Sequence, residues 1–121
     1  MLTASHRLRK SAEFTTTTRS GFRSAKTHLV AHLHLPSGST GPAKVGFTVS
    51  ASVGGSVVRH RLTRQLRAGC QALIADLPAG SRLVIRALPT ASQVPNPVLQ
   101  AELVGVVRAV LSKASVKRVG P

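Results

Sequence analysis

Residues 56–75 constrain the fold more strongly than any other stretch, because apolar or small residues recur there every three or four positions. The recurring residues are Val58, Leu62, Leu66, Gly69 and Leu73. Side chains at these spacings share one face of an α-helix, and that face must be buried against a core. Gly54 and Gly55 interrupt the preceding segment, and Ser56 offers an N-cap. We predict a helix from Ser56 to about Ala75 with one buried face.

Two stretches before this helix alternate between apolar and polar residues, which is the period of a β-strand. The inward positions are Leu29, Ala31, Leu33 and Leu35 in the first, and Val45, Phe47 and Val49 in the second. Residues 36–42, between the two strands, are rich in proline, glycine and serine and predict a turn. We therefore predict that residues 28–35 and 44–50 pair as a hairpin.

Helices are also predicted near both ends of the chain. Ser11 is positioned to cap a short helix that runs to about Arg19 and is closed by Gly21, although residues 15–18 are β-branched threonines. Near the other end, Asn96 and Pro97 are typical of a helix start. The apolar residues on one face of that last helix are Leu99, Leu103, Val106 and Val110.

With a further strand at residues 82–88, the pattern predicts an α+β fold. We expect the order α-β-β-β-α-β-α, which contains one strand more than the pattern locates. We expect a sandwich of helices and a small mixed sheet, formed by one domain over residues 1–112. Residues 113–121 are expected to be a basic, disordered tail.

The charge balance indicates a polyanionic partner. The 121 residues include 17 Lys+Arg and 3 Asp+Glu, a net charge of +14, and a compact domain of that charge repels itself unless RNA or DNA neutralises it. A membrane surface is the rival partner, but no lipidation motif is present and the apolar faces are needed for a core. Cys70 is the single cysteine and the N-terminus lacks the apolar run of a secretory signal, which favours the cytoplasm.

A cationic face lies opposite the apolar stripe of the 56–75 helix. Its residues are Arg59, His60, Arg61, Arg64 and Arg67. At about 100° per residue, four of them fan over that face, and Arg59 lies at its edge. The planar fork of arginine binds phosphate oxygens in pairs, so the face suits a nucleic-acid backbone. The alternative is a solvated helix surface, but this helix has no acid before Asp76 to neutralise it.

This helix and the strand before it resemble the signature of the bacterial ribonuclease P protein family. The matching residues are Val45-Gly46-Phe47-Thr48-Val49-Ser50, Gly54, Val57, Arg59-His60-Arg61, Arg64 and Arg67. The start of the chain, from His6 to Ser11 with Phe14, resembles the family's opening. The departures from the family pattern are Thr18, Ala51, Ser52, Gly55, His60 and Thr63. They remove cations and one stacking ring.

The resemblance implies a protein subunit that binds a large catalytic RNA and helps it remove the 5′ leader of precursor tRNA. It implies that the arginine helix faces the catalytic RNA and that two parallel strands are joined through that helix by a left-handed crossover. It also implies a cleft for the single-stranded leader, to which we assign Arg9, Phe14, Lys44 and Arg86. Mg²⁺ is expected to be held mainly by the RNA, and one protein is expected to bind one RNA.

Other functions are possible for a basic chain of this size. A ribosomal or other structural RNA-binding protein is the main alternative. A self-sufficient nuclease is disfavoured, because two-metal hydrolysis needs several carboxylates and only Glu13, Asp76 and Glu102 are acidic. No catalytic residue is therefore assigned to this chain.

Histidine, phenylalanine and cysteine side chains each allow a functional and a structural interpretation. His28, His32 and His34 share one strand face and could bind a metal ion or form a polar surface that lines the leader cleft. We favour the polar surface and assign no metal ligand. Phe14 could stack on a base or belong to the core, whereas Phe22 and Phe47 are expected to be packing residues. Cys70 is expected to be structural rather than nucleophilic.

Overall fold

The computed structural model describes residues 4–36, 38 and 40–119, with side chains described for residues 5–36, 38 and 40–115. The helices are α1 (Ser11–Ser20), α2 (Ser56–Leu73) and α3 (Asn96–Val119), and the strands are β1 (Phe22–Ala25), β2 (Leu29–His34), β3 (Lys44–Thr48) and β4 (Arg82–Ala87). This order agrees with the predicted α-β-β-β-α-β-α fold. Three short 3₁₀ turns lie at Ala4–His6, Ile74–Asp76 and Pro89–Gln93.

The C-terminal helix continues past the predicted end of the domain at residue 112. It extends to Val119, and Ala114 is buried in the core, so residues 113–115 belong to the folded domain rather than to a tail. Of the predicted tail, residues 120–121 lie outside the described residues, as do the side chains of residues 116–119.

The four strands form one sheet in the order β1-β2-β4-β3. Strand β2 is antiparallel to both β1 and β4, whereas β3 is parallel to β4. The predicted hairpin between residues 28–35 and 44–50 is therefore wrong, because β4 lies between the two strands. The apolar run of β4 is buried on both faces, which only a central position allows. The parallel β3–β4 pair joined through α2 is as expected, and the left-handed sense of that crossover stays a prediction.

The main core lies between the sheet and the pair α2 and α3. Leu62, Leu66 and Leu73 of the predicted stripe are buried there, and they meet the buried face of α3. Cys70 is also fully buried in this core, whereas the predicted Val58 and Gly69 are half-buried. Burial raises the pKa of the Cys70 thiol to about 12, and a buried thiol of raised pKa fits a structural residue better than a nucleophile.

Helix α1 covers the opposite face of the sheet, where it packs against β2 and β4. Its threonine run is compatible with a helix because Thr16, Thr17 and Thr18 each donate a hydrogen bond to the carbonyl oxygen four residues earlier, at 2.9, 2.7 and 3.1 Å. Ser11 is the first helical residue rather than the cap, because Lys10 occupies the N-cap position. The helix ends at Ser20, one residue beyond the predicted Arg19, and Gly21 caps it as predicted.

Gly21 is required by close packing rather than by an unusual backbone angle, since its φ is −89°. A Cβ at this position would clash with the backbone carbonyl oxygens of Leu33 and Thr17, and backbone atoms cannot easily move aside. We expect Gly21→Ala to lower the free energy of unfolding by about 1–2 kcal/mol, measured by urea denaturation. Gly41→Ala is the matched control, because no atom lies within 4 Å of its Cβ position. Equal stability of the two variants would contradict this explanation.

Candidate nucleic-acid interface

A cleft of about 520 Å³, here named the α1 cleft, opens between α1 and the sheet. Its lining residues are Phe14, Thr15, Thr18, His32, Thr48, Ser50, Val84, Arg86 and Ala87. The lining therefore combines one aromatic ring, four hydroxyl groups, an imidazole and a guanidinium. Such a surface offers a stacking partner, neutral hydrogen-bonding groups and a cation, which are the contacts that a single-stranded nucleotide uses.

The ring of Phe14 lies over Gly46, and this position explains why β3 has a glycine there. A Cβ at Gly46 would overlap the Phe14 ring. Phe14 is only half-buried and is not part of the main core, which lies on the other face of the sheet. Phe22 and Phe47, by contrast, pack against that core, as predicted. Phe14 is thus an aromatic surface within the cleft.

The structure unites only part of the predicted leader-cleft set. Phe14 and Arg86 line the α1 cleft, although they are far apart in the sequence. Arg9 lines a separate, smaller cavity next to the α1 cleft, and Phe14 lines both cavities. Lys44 does not line the cleft: it pairs with Arg82 at the other end of β3, about 13 Å along the strand from Thr48. The polar side chains Thr48 and Ser50, which line the cleft, were not assigned from the sequence.

The three histidines of the first predicted strand have different surroundings. His28 shares a hydrogen bond of 2.6 Å between its Nδ1 and Thr90 Oγ1, and its backbone N–H donates to Glu102 Oε2 at 2.7 Å. His32 lines the α1 cleft, whereas His34 pairs in the sheet with Arg82. Within the described residues, no group of three or more His, Cys, Asp or Glu is placed to hold a metal ion. The polar-surface interpretation fits His32 in particular.

His32 is buried, and no described group bonds its Nδ1. Burial lowers the pKa of His32 below its ordinary value, and the nearby cations Arg23 and Arg86 lower it further. Burial and then Arg82 lower the pKa of His34 in the same direction. Both imidazoles are therefore neutral at physiological pH, so they can donate or accept hydrogen bonds without adding charge.

We expect the protein to lose stability as the pH falls below 6.5, the ordinary histidine pKa. Above that pH both the folded and the unfolded chain hold His32 neutral. Below it the unfolded chain takes up a proton that the folded protein resists, so the free energy of unfolding falls by up to about 1.4 kcal/mol per pH unit until the lowered folded pKa is reached. Urea unfolding at about pH 7.5 and about pH 5.5 measures the loss, which should be smaller in His32→Gln. Equal losses in both proteins would assign the pH dependence to other groups.

A second cleft, of about 460 Å³, lies along the exposed side of α2 and is named the α2 face. It is lined by His60, Thr63, Arg64 and Arg67. Thr63 lines this surface and has its hydroxyl group bound within the helix, since its Oγ1 donates to the carbonyl oxygen of Arg59 at 2.8 Å. The family resemblance had suggested only a lost cation at this position. Arg64 is exposed, and no hydrogen bond or ion pair engages it within the described part of the chain.

The two other predicted arginines flank the α2 face and have backbone partners. Arg59 Nε donates to the carbonyl oxygen of Gly54 at 3.1 Å, and the Arg61 guanidinium donates weakly to that of Ser92 at 3.3 Å. Arg61 remains exposed. All five predicted residues therefore lie on the outer side of α2 or at its margin, where they can contact a polyanion.

The acidic side chains do not assemble into a hydrolytic centre. Glu13 forms a salt bridge of 3.1 Å with Arg82, and Glu102 accepts the hydrogen bond from His28. Asp76 lies in the 3₁₀ turn after α2. Because these carboxylates belong to different elements and two of them are engaged, they do not fit a magnesium-dependent catalytic site. Among the described residues, no helix combines the length and apolar character needed to cross a membrane.

Comparison with known proteins identifies the family. A sequence model of the family described as Ribonuclease P matches residues 2–111. The ribonuclease P protein component of Mycobacterium sp. (strain KMS) is 43% identical over 109 residues, covering 89% of this chain and 92% of the relative. That of Kocuria rhizophila is 42% identical over 95 residues, covering 78% and 82%. The chain belongs to the ribonuclease P protein family.

Solved structures of ribonuclease P proteins share its fold. The protein from Staphylococcus aureus superposes with a TM-score of 0.74 at 21% identity, covering 92% of this chain and 96% of that one. The protein from Thermotoga maritima superposes with a TM-score of 0.73 at 18% identity, covering 86% and 96%. The resemblance stated from the sequence is confirmed. A member of the ribonuclease P protein family is a subunit of the ribonucleoprotein endoribonuclease that processes the 5′ end of tRNA, with the ribonuclease P RNA and precursor tRNA as partners.

Proposed function

We propose that the α2 face binds the catalytic RNA of ribonuclease P and that the α1 cleft binds the 5′ leader of precursor tRNA. The observation that carries this assignment is the presence of two cationic clefts, neither lined by a carboxylate, in a member of this family. The two clefts differ in shape and chemistry, and this difference supports a separate RNA partner for each.

The α2 face is suited to a folded RNA. Its cations project from the outer side of one helix, and Arg64 is free to follow the curved phosphate backbone of a structured partner. Phosphate contacts of this kind supply affinity without reading the base sequence. We therefore assign the α2 face to the catalytic RNA.

The α1 cleft is suited to a single strand. Phe14 offers a ring for one unstacked base, Arg86 offers a cation for an adjacent phosphate, and Thr48 and Ser50 offer hydroxyl groups. A paired helix keeps its bases stacked and hidden, so only an unpaired segment can use such a ring. The leader is the unpaired segment of the substrate.

Catalysis in this assignment belongs to the RNA. The carboxylates of the protein do not form a metal site, so the Mg²⁺ ions of the reaction are held mainly by RNA phosphates. The protein contributes positive charge where two polyanions approach each other, which lowers their mutual repulsion. One copy of the protein presents one α2 face, and we assign one protein to each catalytic RNA, in the cytoplasm.

We expect RNA-free protein to leave precursor tRNA intact, because the three carboxylates of the chain do not converge. The measurement is gel analysis of labelled precursor tRNA after incubation with protein that was purified under denaturing conditions, refolded and freed of nuclease. Appearance of the mature 5′ end in that sample would contradict the proposal.

The RNA that co-purifies with the protein separates this function from that of a ribosomal protein. Affinity purification from a bacterium that expresses the tagged chain should enrich one RNA of several hundred nucleotides. The purified material should also cleave precursor tRNA. Enrichment of ribosomal RNA instead, with no cleavage activity, would support a structural RNA-binding role.

A further inference from the structure

An ion pair attaches the first turn of α1 to the sheet. Glu13 Oε2 lies 3.1 Å from a guanidinium nitrogen of Arg82, and the two side chains are 15% and 27% exposed. Arg82 is the first residue of β4, about 13 Å along the strand from Arg86 in the α1 cleft. Neither Glu13 nor Arg82 lines the α1 cleft or the α2 face. The proposed function therefore gives this pair no direct contact with RNA.

The carboxylate of Glu13 lies close to a surface that must attract a polyanion. Glu13 is one of only three acidic residues in the chain, and the next residue, Phe14, lines the α1 cleft. An unpaired negative charge at this place would repel RNA, and the contact with Arg82 neutralises it. Because the charge of Glu13 does not favour RNA binding, its contribution must come from the geometry of the contact.

The face of the sheet under α1 carries three rows of side chains, about 6–7 Å apart along the strands. From the α1 start inward, the strand register gives the rows His34–Arg82–Lys44, His32–Val84–Gly46 and Val30–Arg86–Thr48. Glu13 binds the first row through Arg82, and the Phe14 ring lies over the second row at Gly46. The third row contributes Arg86 and Thr48 to the α1 cleft. The ion pair is therefore one row away from the ring.

Glu13 and Phe14 together fix the rotation of α1 about its own axis. Consecutive helical residues point about 100° apart, so the two side chains reach two neighbouring strands. Glu13 contacts β4 at Arg82, and Phe14 lies over β3 at Gly46. Thr17, one turn later on the face of Glu13, is fully buried and holds the second half of the helix. Glu13 holds the first turn, which carries the ring.

We propose that the Glu13–Arg82 ion pair positions Phe14, by holding the first turn of α1 in the rotation at which the ring can stack on a leader base. Glu13 and Arg82 are positioning residues and do not contact the RNA. This inference rests on the proposed function of the α1 cleft and deepens it, because leader affinity then depends on a carboxylate that would by itself repel RNA.

The variant Glu13→Gln separates positioning from charge, because the two effects have opposite signs. Loss of a negative charge alone would tighten binding of any RNA. Loss of positioning weakens binding of the leader-bearing substrate only. Glu102→Gln is the matched control: it removes the same charge from α3, and Glu102 lines neither the α1 cleft nor the α2 face.

We expect Glu13→Gln to weaken holoenzyme binding of leader-bearing precursor tRNA by about two- to fivefold, the range that a partly exposed ion pair supports. Binding of mature tRNA should not weaken, and Glu102→Gln should weaken neither interaction. In a Phe14→Ala background, Glu13→Gln should cause no further loss, because the ring that it positions is gone. Added to Arg82→Gln, which breaks the pair from the sheet side, it should also cause no further loss.

Proton NMR of Gly46 measures the position of the ring in the absence of RNA. The Phe14 ring lies over Gly46, so its ring current shifts the Hα signals of that glycine. Glu13→Gln should move these signals toward their values in Phe14→Ala, whereas Glu102→Gln should leave them in place. Melting temperatures establish that each variant is folded.

Parent-like or tighter leader binding by Glu13→Gln would overturn the inference, whether or not the Gly46 signals move. Equal losses for leader-bearing and mature tRNA with a lowered melting temperature would make the pair a stabilising contact only. A loss that persists in the Phe14→Ala background would also contradict positioning of the ring. In each case the proposed function stands if the parent holoenzyme binds leader-bearing precursor more tightly than mature tRNA. A parent that makes no such distinction would overturn the assignment of the α1 cleft itself.

Discussion

Phe14→Ala is expected to weaken binding of leader-bearing precursor tRNA to the holoenzyme by roughly five- to 150-fold, while binding of mature tRNA stays unchanged. The estimate corresponds to about 1–3 kcal/mol for one base stacked on an aromatic ring. The ring is half-buried over Gly46, outside the main core, and it lines the α1 cleft. Removing the ring should therefore weaken the contact with the leader, while the protein stays folded.

A second variant, Phe14→Leu, separates stacking from packing. Leucine keeps an apolar side chain over Gly46 but has no flat π face, so it should preserve the melting temperature and still lose most of the leader affinity. Equilibrium binding of matched substrates with and without a leader gives the comparison. Equal losses for both substrates, together with a lowered melting temperature, would show that Phe14 is a packing residue only.

Removing two cations from the outer side of α2 is expected to weaken catalytic-RNA binding by about 15- to 30-fold at roughly 0.15 M salt. Each phosphate contact contributes about 0.7–0.9 to the slope of log affinity against log salt concentration, which amounts to about four- to sixfold at that salt concentration. The double variant Arg61→Ala/Arg64→Ala should flatten the slope by about 1.4–1.8. Both side chains are exposed, so the core should be undisturbed.

The uncharged neighbour Gln65 provides the control on the same helix. Its backbone carbonyl accepts a hydrogen bond from Gln100 at 2.8 Å, and this bond does not need the Gln65 side chain. Gln65→Ala should therefore leave both affinity and slope unchanged. Parent-like binding by the double variant across a salt titration would make the α2 face a solvated surface. A loss of affinity with an unchanged slope would assign the contacts to base edges instead of phosphates.

The features that were predicted correctly from the sequence depend on residues that are close together along the chain. Helix α2 and the burial of Leu62, Leu66 and Leu73 follow from a spacing of three or four residues, which is local. The pairing of strands is not local, and the predicted hairpin failed because β4, which comes after α2, lies between β2 and β3. Strand β1 has no apolar alternation to mark it, so its position was not identified beforehand.

In the candidate site, too, features set by local spacing were predicted, whereas features set by tertiary packing were not. The helical period predicted that the cations of α2 point away from the core, but it could not show which groups face them. The pairing of Arg59 with Gly54 and the position of Arg67 over Phe47 depend on tertiary packing. Phe14 and Arg86 were placed in one cleft by family resemblance, because no spacing rule relates α1 to β4. The same resemblance placed Lys44 there, although the structure puts it at the far end of β3.

We propose that this chain assists RNA-catalysed cleavage of precursor tRNA without catalysing it. The decisive measurement is cleavage of a leader-bearing precursor by a bacterial ribonuclease P RNA, at a magnesium concentration too low for the RNA alone. We expect that adding the protein restores correct 5′ cleavage, and that the protein without the RNA yields no product. Cleavage by the RNA that is unaffected by the protein, or cleavage by the protein alone, would contradict it.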